Sequence, residues 1–268
     1  MGRRSLSGKV VVITGGARGI GAATGRALAA RGAVVVIADL DGNQAKSTAA
    51  TLGGSGHALD VTDHAAFSAF LGSLGQIDVL INNAGIMPLA AVTEEAPSIT
   101  ARQLEINLHA VIHGTRAAVA LMRPRGSGHI VNVASAAGKF GFPNASTYCA
   151  TKFGVVGFSE AVRAELRGSG IEVSCVMPGM VRTELISGLS EIGFLKPVTA
   201  ETVALGIVRA LEKPRFEVFV PRRLNALTRA QRFFPRAVSE WAMRLVGGDT
   251  ALVGASASRD AYEARVRG

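Results

Sequence analysis

The sequence predicts a doubly wound α/β domain: a parallel sheet of about seven strands, helices on both faces, and a helical C-terminal extension. Three observations carry this reading. Short runs rich in Val and Ile, too short for helices, alternate with longer stretches of helical spacing. The runs are apolar at consecutive positions, as strands covered on both faces must be, whereas a half-exposed antiparallel strand alternates apolar and polar. A glycine cluster closes the first run just where helical spacing begins.

Taken in order, Val10 to Thr14 is the first strand and Ile20 to Arg31 the helix behind it. Val34 to Ala38 leads to a helix over Asp41 to Leu52, and a short third strand before Asp60 leads to a helix over Asp63 to Leu74. Val79 to Ile81, Ile130 to Val133, Ile171 to Val176 and Phe216 to Val220 complete the strands. The helices between them span Gln103 to Met122, Thr151 to Arg167 and Ala200 to Leu211. Residues 1–221 read as one unit. After Pro221 the pattern changes to Arg-rich amphipathic segments, Leu224 to Phe234 and Val238 to Val246, so 222–268 is an extension of the same domain.

Composition excludes several classes. A chain of 268 residues with 48% hydrophobic and 18% charged residues is neither disordered nor collagenous. Two distant cysteines, Cys149 and Cys175, form neither a disulfide scaffold nor a zinc motif. No apolar stretch approaches the roughly 18 residues of a membrane span, and no cleavable leader is recognisable, which points to the cytoplasm. The net charge is +9, and from Lys213 onward there are eleven basic and five acidic residues. Such an extension suits an anionic membrane surface, a subunit interface or a shield over a pocket. It lacks the interleaved aromatics of a nucleic-acid stacking platform.

The glycine cluster runs Gly15-Gly16-Ala17-Arg18-Gly19-Ile20-Gly21. Gly15 permits a tight turn, Gly19 lets backbone approach a pyrophosphate, Gly21 allows close helix packing, and the helix N-terminus supplies amide donors to the anion. Asp39 closes the second strand 18 residues past Gly21, where a carboxylate accepts from ribose hydroxyls and repels a 2′-phosphate. This favours NAD over NADP, although Arg18 in the loop would suit a 2′-phosphate. Tyr148 and Lys152 stand four residues apart, on one face if helical, so that an ammonium sits near a phenol and lowers its pKa. His109 and His113 share a helical face without a third ligand, so no metal site is expected; His57 and His64 read as solvated loop residues.

With these motifs the chain resembles the short-chain dehydrogenase/reductase family over roughly residues 6 to 221. The cofactor loop is followed in order by Asn82-Asn83-Ala84-Gly85, by Asn107, by Ser135 placed 13 residues before Tyr148, by Tyr148 and Lys152, and by Pro178-Gly179-Met180-Val181-Arg182-Thr183. The resemblance implies a Rossmann fold, a dinucleotide cofactor, and a homodimer or homotetramer. It implies that Tyr148 is the general acid or base, that Lys152 tunes it and holds the nicotinamide ribose, that Ser135 donates to the substrate oxygen and that Asn107 holds a water of a proton relay. Thr183 and the Val181 backbone would fix the carboxamide beside Pro178 and Gly179. Asp60 and Val61 would meet the adenine, and Asn83, Ala84 and Gly85 the adenosine ribose; Asn82 reads as structural.

The loop 184–199 corresponds to the family's substrate-covering segment. Leu185 and Leu189 there, with Met87, Phe140 and Phe142, offer apolar surface and no arginine cluster. The expected substrate is a small lipophilic secondary alcohol or ketone, touched by Ser135, Tyr148, Phe142, Leu185 and Leu189. The competing expectation is a dinucleotide-binding or sensing protein without catalysis.

Overall fold

The computed structural model describes residues 2–186, 196–231, 259 and 262–264. Seven parallel strands form one sheet in the order β3-β2-β1-β4-β5-β6-β7. They are β1 Val10–Thr14, β2 Val34–Asp39, β3 Ser55–Ala58, β4 Val79–Asn82, β5 Gly128–Val133, β6 Ile171–Pro178 and β7 Glu217–Val220. In register, Val10 faces Val34 on one side of β1 and Val11 faces Val79 on the other.

Alternate residues of each strand feed two separate cores. Val11, Ile13, Val35, Ile37, Val131 and Val176 pack under α1 (Gly19–Ala29), α2 (Gly42–Ala50) and α7 (Ala200–Glu212). Val12, Val36, Leu80, Ile130 and Val173 pack under α3 (His64–Ser73) and α5 (Ala110–Met122), through Phe67, Leu71, Ala118 and Met122. Each fully buried Val, Ile or Leu contributes about 1.5–3 kcal/mol, which is why both faces of the strands are apolar. Side-chain caps start three helices: Asp41 accepts from the Gln44 amide (3.0 Å), Asp63 from Ala66 (2.9 Å) and Thr199 from Thr202 (3.3 Å).

Four local expectations change. The single helix expected from Gln103 to Met122 is α4 (Pro97–Leu104), a π-helical turn over Glu105–His109, and then α5. Pro97 starts α4 at a position that needs no amide, and the wide turn frees Asn107 for other bonds. The next helix, α6, spans Ser146–Glu165 and so carries both Tyr148 and Lys152 on one element. His57 lies within β3 and His64 opens α3, stacked on His113 at 4.4 Å, so neither is a solvated loop residue. Beyond β7, α8 covers Arg223–Gln231, starting one residue before the expected Leu224 to Phe234 segment, while residues 232–234 and Val238 to Val246 lie outside the described residues. Among the described residues no helix is long and apolar enough to cross a membrane.

A buried polar seam fixes the middle of the sheet. Asn82 donates to Asn132 Oδ1 (2.8 Å) and Thr115 Oγ1 (3.2 Å), and Asn132 donates to Ser159 (3.0 Å), so β4, β5, α5 and α6 are locked in one register. Nearby on β5, His129 pairs with Ser174 of β6 at 2.9 Å, and burial pushes its imidazole down from 6.5 to about 3. In the unfolded chain the same group takes up a proton near pH 6.5 that the fold refuses. Stability therefore falls as pH drops from about 6.5 toward 3, by up to ~1.4 kcal/mol per pH unit from this group. Urea unfolding midpoints measured from pH 7 to pH 4 should fall less steeply in His129→Gln than in the wild type; equal slopes would show that the buried imidazole is not the cause.

Candidate active site

The chain order reverses beside β1, whose neighbours are β2 and β4, and the crevice at the carboxyl ends of these strands is where such folds bind ligands. Gly15 closes β1 with φ +60°, and a Cβ there would lie 2.7 Å from the Ala84 Cα, so loop and β4 turn meet backbone to backbone. Asn83 holds this contact by donating to Thr14 O (3.0 Å) and Gly15 O (2.9 Å), and the Ala84 amide reaches Thr14 Oγ1 at 3.3 Å. The Asn83 amide group thus shapes the loop.

Gly19, Ile20 and Gly21 form the first turn of α1, which has neither a side-chain cap nor an acidic residue. Its orphan amides are open to an anion, unlike those of the capped helices α2, α3 and α7. At the end of β2 the half-buried Asp39 accepts from the Ala17 amide (3.0 Å) and from Asp41 N (3.1 Å), leaving lone pairs for ribose hydroxyls. Arg18 is engaged: its guanidinium meets Asp41 at 2.8 Å, and Asp41 is held below the ordinary carboxylate range by the Gln44 amide and by Arg18. Val61 is buried in the core, so only its backbone faces the crevice, and Asp60 Oδ1 accepts from Thr62 N and Oγ1 at 2.9 and 2.7 Å. Pro178 ends β6, Gly179 N donates to Val220 O at 2.8 Å, and Val181 bridges to Val198. The Thr183 methyl stands 3.3 Å from where a Cβ on Gly19 would be, so this loop closes over the cofactor loop. An uncapped helix, a carboxylate at the end of β2 and this narrow approach fit a dinucleotide.

The catalytic candidates converge on α6. Tyr148 and Lys152 are buried, with Lys152 Nζ 5.7 Å from the phenol ring centre and donating to Val133 O at 3.0 Å. Ser135 follows β5 and accepts from Ala137 N at 3.1 Å, and its hydroxyl acts on the Tyr148 phenol to lower its pKa against the effect of burial. Asn107 is clamped by Ile86 through both its atoms, at 2.8 Å each, and donates to Thr151 at 3.4 Å. Gly85 lies between Asn107 Oδ1 and Lys152 Nζ, 3.2 and 3.6 Å from the position of an added Cβ.

The expected lowering of the phenol pKa is reversed in this state. Burial pushes Tyr148 well above its ordinary value of 10.0, opposed by the Ser135 hydrogen bond, and burial lowers Lys152 from 10.5 to about 8. The ammonium is aimed at Val133 O, which explains its weak hold on the phenol. Cys149 beside the tyrosine is buried and its thiol is pushed up, which makes it inert. Met87, Ala137, Ala145, Tyr148 and Cys149 form a buried cluster against Leu89, Phe142, Leu185 and Ile186; Leu189 lies outside the described residues.

Four residues at the site escaped the sequence reading. Glu95 accepts from Thr100 (2.6 Å), Gln103 (3.0 Å) and Thr147 (2.5 Å), pinning α4 and the start of α6 one residue from Tyr148. Arg259, Tyr262 and Glu263 reach the loop behind Gly85 from the far end of the chain. No motif marks them, since a lone carboxylate or arginine has no spacing to read.

Residues 9–191 match the family described as short chain dehydrogenase. The chain belongs to this family. A 3-alpha-(or 20-beta)-hydroxysteroid dehydrogenase of Mycobacterium bovis is 38% identical over 69% of this chain and 74% of its own. D-threitol dehydrogenase of Mycolicibacterium smegmatis is 40% identical over 67% of this chain and 73% of its own. The crystal structure of a short chain dehydrogenase/reductase from Burkholderia phymatum in complex with NAD matches with a TM-score of 0.77 at 26% identity, over 86% of this chain and 95% of that one. Membership makes the protein an oxidoreductase and confirms the Rossmann-type fold. In a short chain dehydrogenase the loop at Gly15 must hold its shape, so Gly15→Ala should lower stability by about 1–3 kcal/mol and weaken NADH binding together. Thermal unfolding with and without NADH checks this; an unchanged midpoint would mean that the contact with Ala84 relaxes freely.

Proposed function

We propose that this short chain dehydrogenase uses NAD(H) to interconvert a lipophilic secondary alcohol and its ketone, with Tyr148 as general acid and base. The observation that carries the reading is the buried Tyr148, with Lys152 Nζ 5.7 Å from its ring centre one helical turn away, embedded in apolar side chains. When bound, the nicotinamide supplies or accepts the hydride. In reduction Tyr148 donates its proton to the carbonyl oxygen, and Ser135 donates a hydrogen bond to the same oxygen as negative charge gathers there. Lys152 stabilises the phenolate that remains, and Asn107 holds the π-helical turn beside it, at the inner end of the path by which the proton is replaced. Thr183 and the Val181 backbone hold the carboxamide, and the first turn of α1 holds the pyrophosphate.

The two relatives at nearly equal identity are named for a steroid and for a small polyol, so overall similarity does not choose the substrate class. The side chains of Met87, Phe142, Leu185 and Ile186 pack around Tyr148, and the neighbouring Arg259 guanidinium is engaged by the carbonyls of Met87 and Leu185, which supports an apolar substrate body. Asp39 ends β2 where it would accept from ribose hydroxyls, and Arg18 is paired with Asp41, which supports NAD(H) over NADP(H). The non-enzymatic alternative gains no support from the site.

Tyr148→Phe should cut ketone reduction by about 10²–10⁴-fold while NADH still binds, because the fold and the loop are untouched. Turnover at the wild-type rate would end the proposed role of the phenol. Separately, Asp39→Ser should move the ratio of catalytic efficiencies with NADH and NADPH toward NADPH by at least about tenfold, equivalent to ~1.4 kcal/mol. A wild-type enzyme that already prefers NADPH would overturn the cofactor assignment.

A further inference from the structure

Beside this site lies a charged group that the chemistry above does not use. Arg259 is 1% exposed, and its guanidinium donates to Leu185 O (2.9 Å), to Met87 O and to Glu263 Oε1 (2.8 Å), while lying 5.1 Å over the Tyr262 ring. Burying a guanidinium is unfavourable unless its donors are matched, and among the described residues the fork meets three acceptors on three different residues. Two backbone amides answer from the other side: Met87 N donates to the Tyr262 hydroxyl (2.8 Å) and Leu89 N to Glu263 (3.2 Å).

The acceptors of Arg259 belong to opposite lips of the crevice. Met87 and Leu89 follow β4, and Leu185 follows β6 at the start of the loop 184–199. Met87 and Leu185 also belong to the apolar cluster around Tyr148. Tyr262 is 8% exposed and lies within electrostatic reach of Tyr148. Residues more than 110 positions downstream of Tyr148 thus close the cluster in which that phenol sits.

We infer that Arg259, Tyr262 and Glu263 form a wall of the substrate pocket built by the chain's own C-terminal region. Tyr262 is the specificity-determining residue that limits how large a ketone fits beside Tyr148. Arg259 is a positioning residue that pins this wall to both lips. The specificity role rests on the alcohol and ketone reading given above, whereas the wall itself rests on the bonds alone.

The full-length protein and the variants Tyr262→Phe, Tyr262→Ala and Arg259→Ala are compared by amide hydrogen exchange, and by NADH-linked reduction of ketones of increasing chain length. Exchange at Met87 should quicken in Tyr262→Phe, which loses only the hydroxyl acceptor, and at both Met87 and Leu89 in Arg259→Ala. In Tyr262→Ala the ratio of kcat/KM for the longest ketone to that for the shortest should rise by about tenfold. Arg259→Ala should raise KM by about tenfold with a smaller change in kcat and unchanged NADH binding, and Arg259→Lys should restore little, since one ammonium cannot match three acceptors. Wild-type exchange at Met87 and Leu89 in all variants overturns the wall. Quickened exchange with an unchanged ketone profile overturns the specificity role. Quickened exchange when even the wild type reduces no ketone upholds the wall and removes the lipophilic-substrate reading instead, so the two failures are told apart.

Discussion

The active site depends on one buried ammonium. Lys152 is 4% exposed, and among the bonds described here its Nζ donates to a single neutral acceptor, the carbonyl of Val133. Burial lowers its pKa from 10.5 to about 8 and raises that of Tyr148, so each charged form is disfavoured alone. Together they are not. Lys152 Nζ lies 5.7 Å from the phenol ring centre, so a phenolate formed there would attract the ammonium in surroundings that screen charge less than water does. That attraction opposes the desolvation that lowers the Lys152 pKa. The pair is poised so that proton loss from the phenol and retention by the lysine favour each other, which is the coupling a hydride-transfer site needs.

Such coupling requires the two groups to stay in place without solvent, and the scaffold supplies this from three sides. Glu95 fixes the start of α6 through Thr147, and Asn107 meets Thr151, which lies between Tyr148 and Lys152 in sequence. Gly138 packs against the α6 backbone so closely that a Cβ would lie 2.7 Å from Lys152 O. The Asn82, Asn132, Thr115 and Ser159 seam then ties α6 and α5 to the strands that carry the cofactor turn. A fully satisfied polar seam has one good register, whereas an apolar contact of equal area tolerates sliding. This explains why polar residues occupy the centre of an otherwise apolar sheet.

How much of this was legible in the sequence follows from the range of each interaction. The strands with continuous Val and Ile, the glycine loop and the Tyr148 and Lys152 pair are local patterns, and their places in the fold follow the reading closely. The third strand is Ser-Gly-His-Ala, with no apolar signal; it forms because its backbone pairs with β2 and α2 packs over Gly56, whose added Cβ would lie 2.4 Å from Ala45 O. The π-helical turn at Glu105–His109 is invisible to periodicity, because its cause is the long-range grip of Ile86 on Asn107. Arg18 carries an ambiguous charge in the sequence, and in the structure it pairs with Asp41 across the loop, a contact no spacing rule announces.

The basic C-terminal region shows the limit most clearly. An excess of arginine is read as a solvated or surface-binding face because an exposed guanidinium needs no partner in the chain. Arg259 belongs to that excess and yet is almost completely buried, with its donors divided between Met87, Leu185 and Glu263. Two of those acceptors are main-chain carbonyls, which every residue carries and no sequence advertises. Net charge therefore counts Arg259 with its solvent-facing neighbours, although its physical role is the opposite one. It joins the Met87 and Leu185 segments beside the apolar cluster by donating to a main-chain carbonyl of each, and a cation is suited to this because it offers several donors at once without needing an acceptor in return.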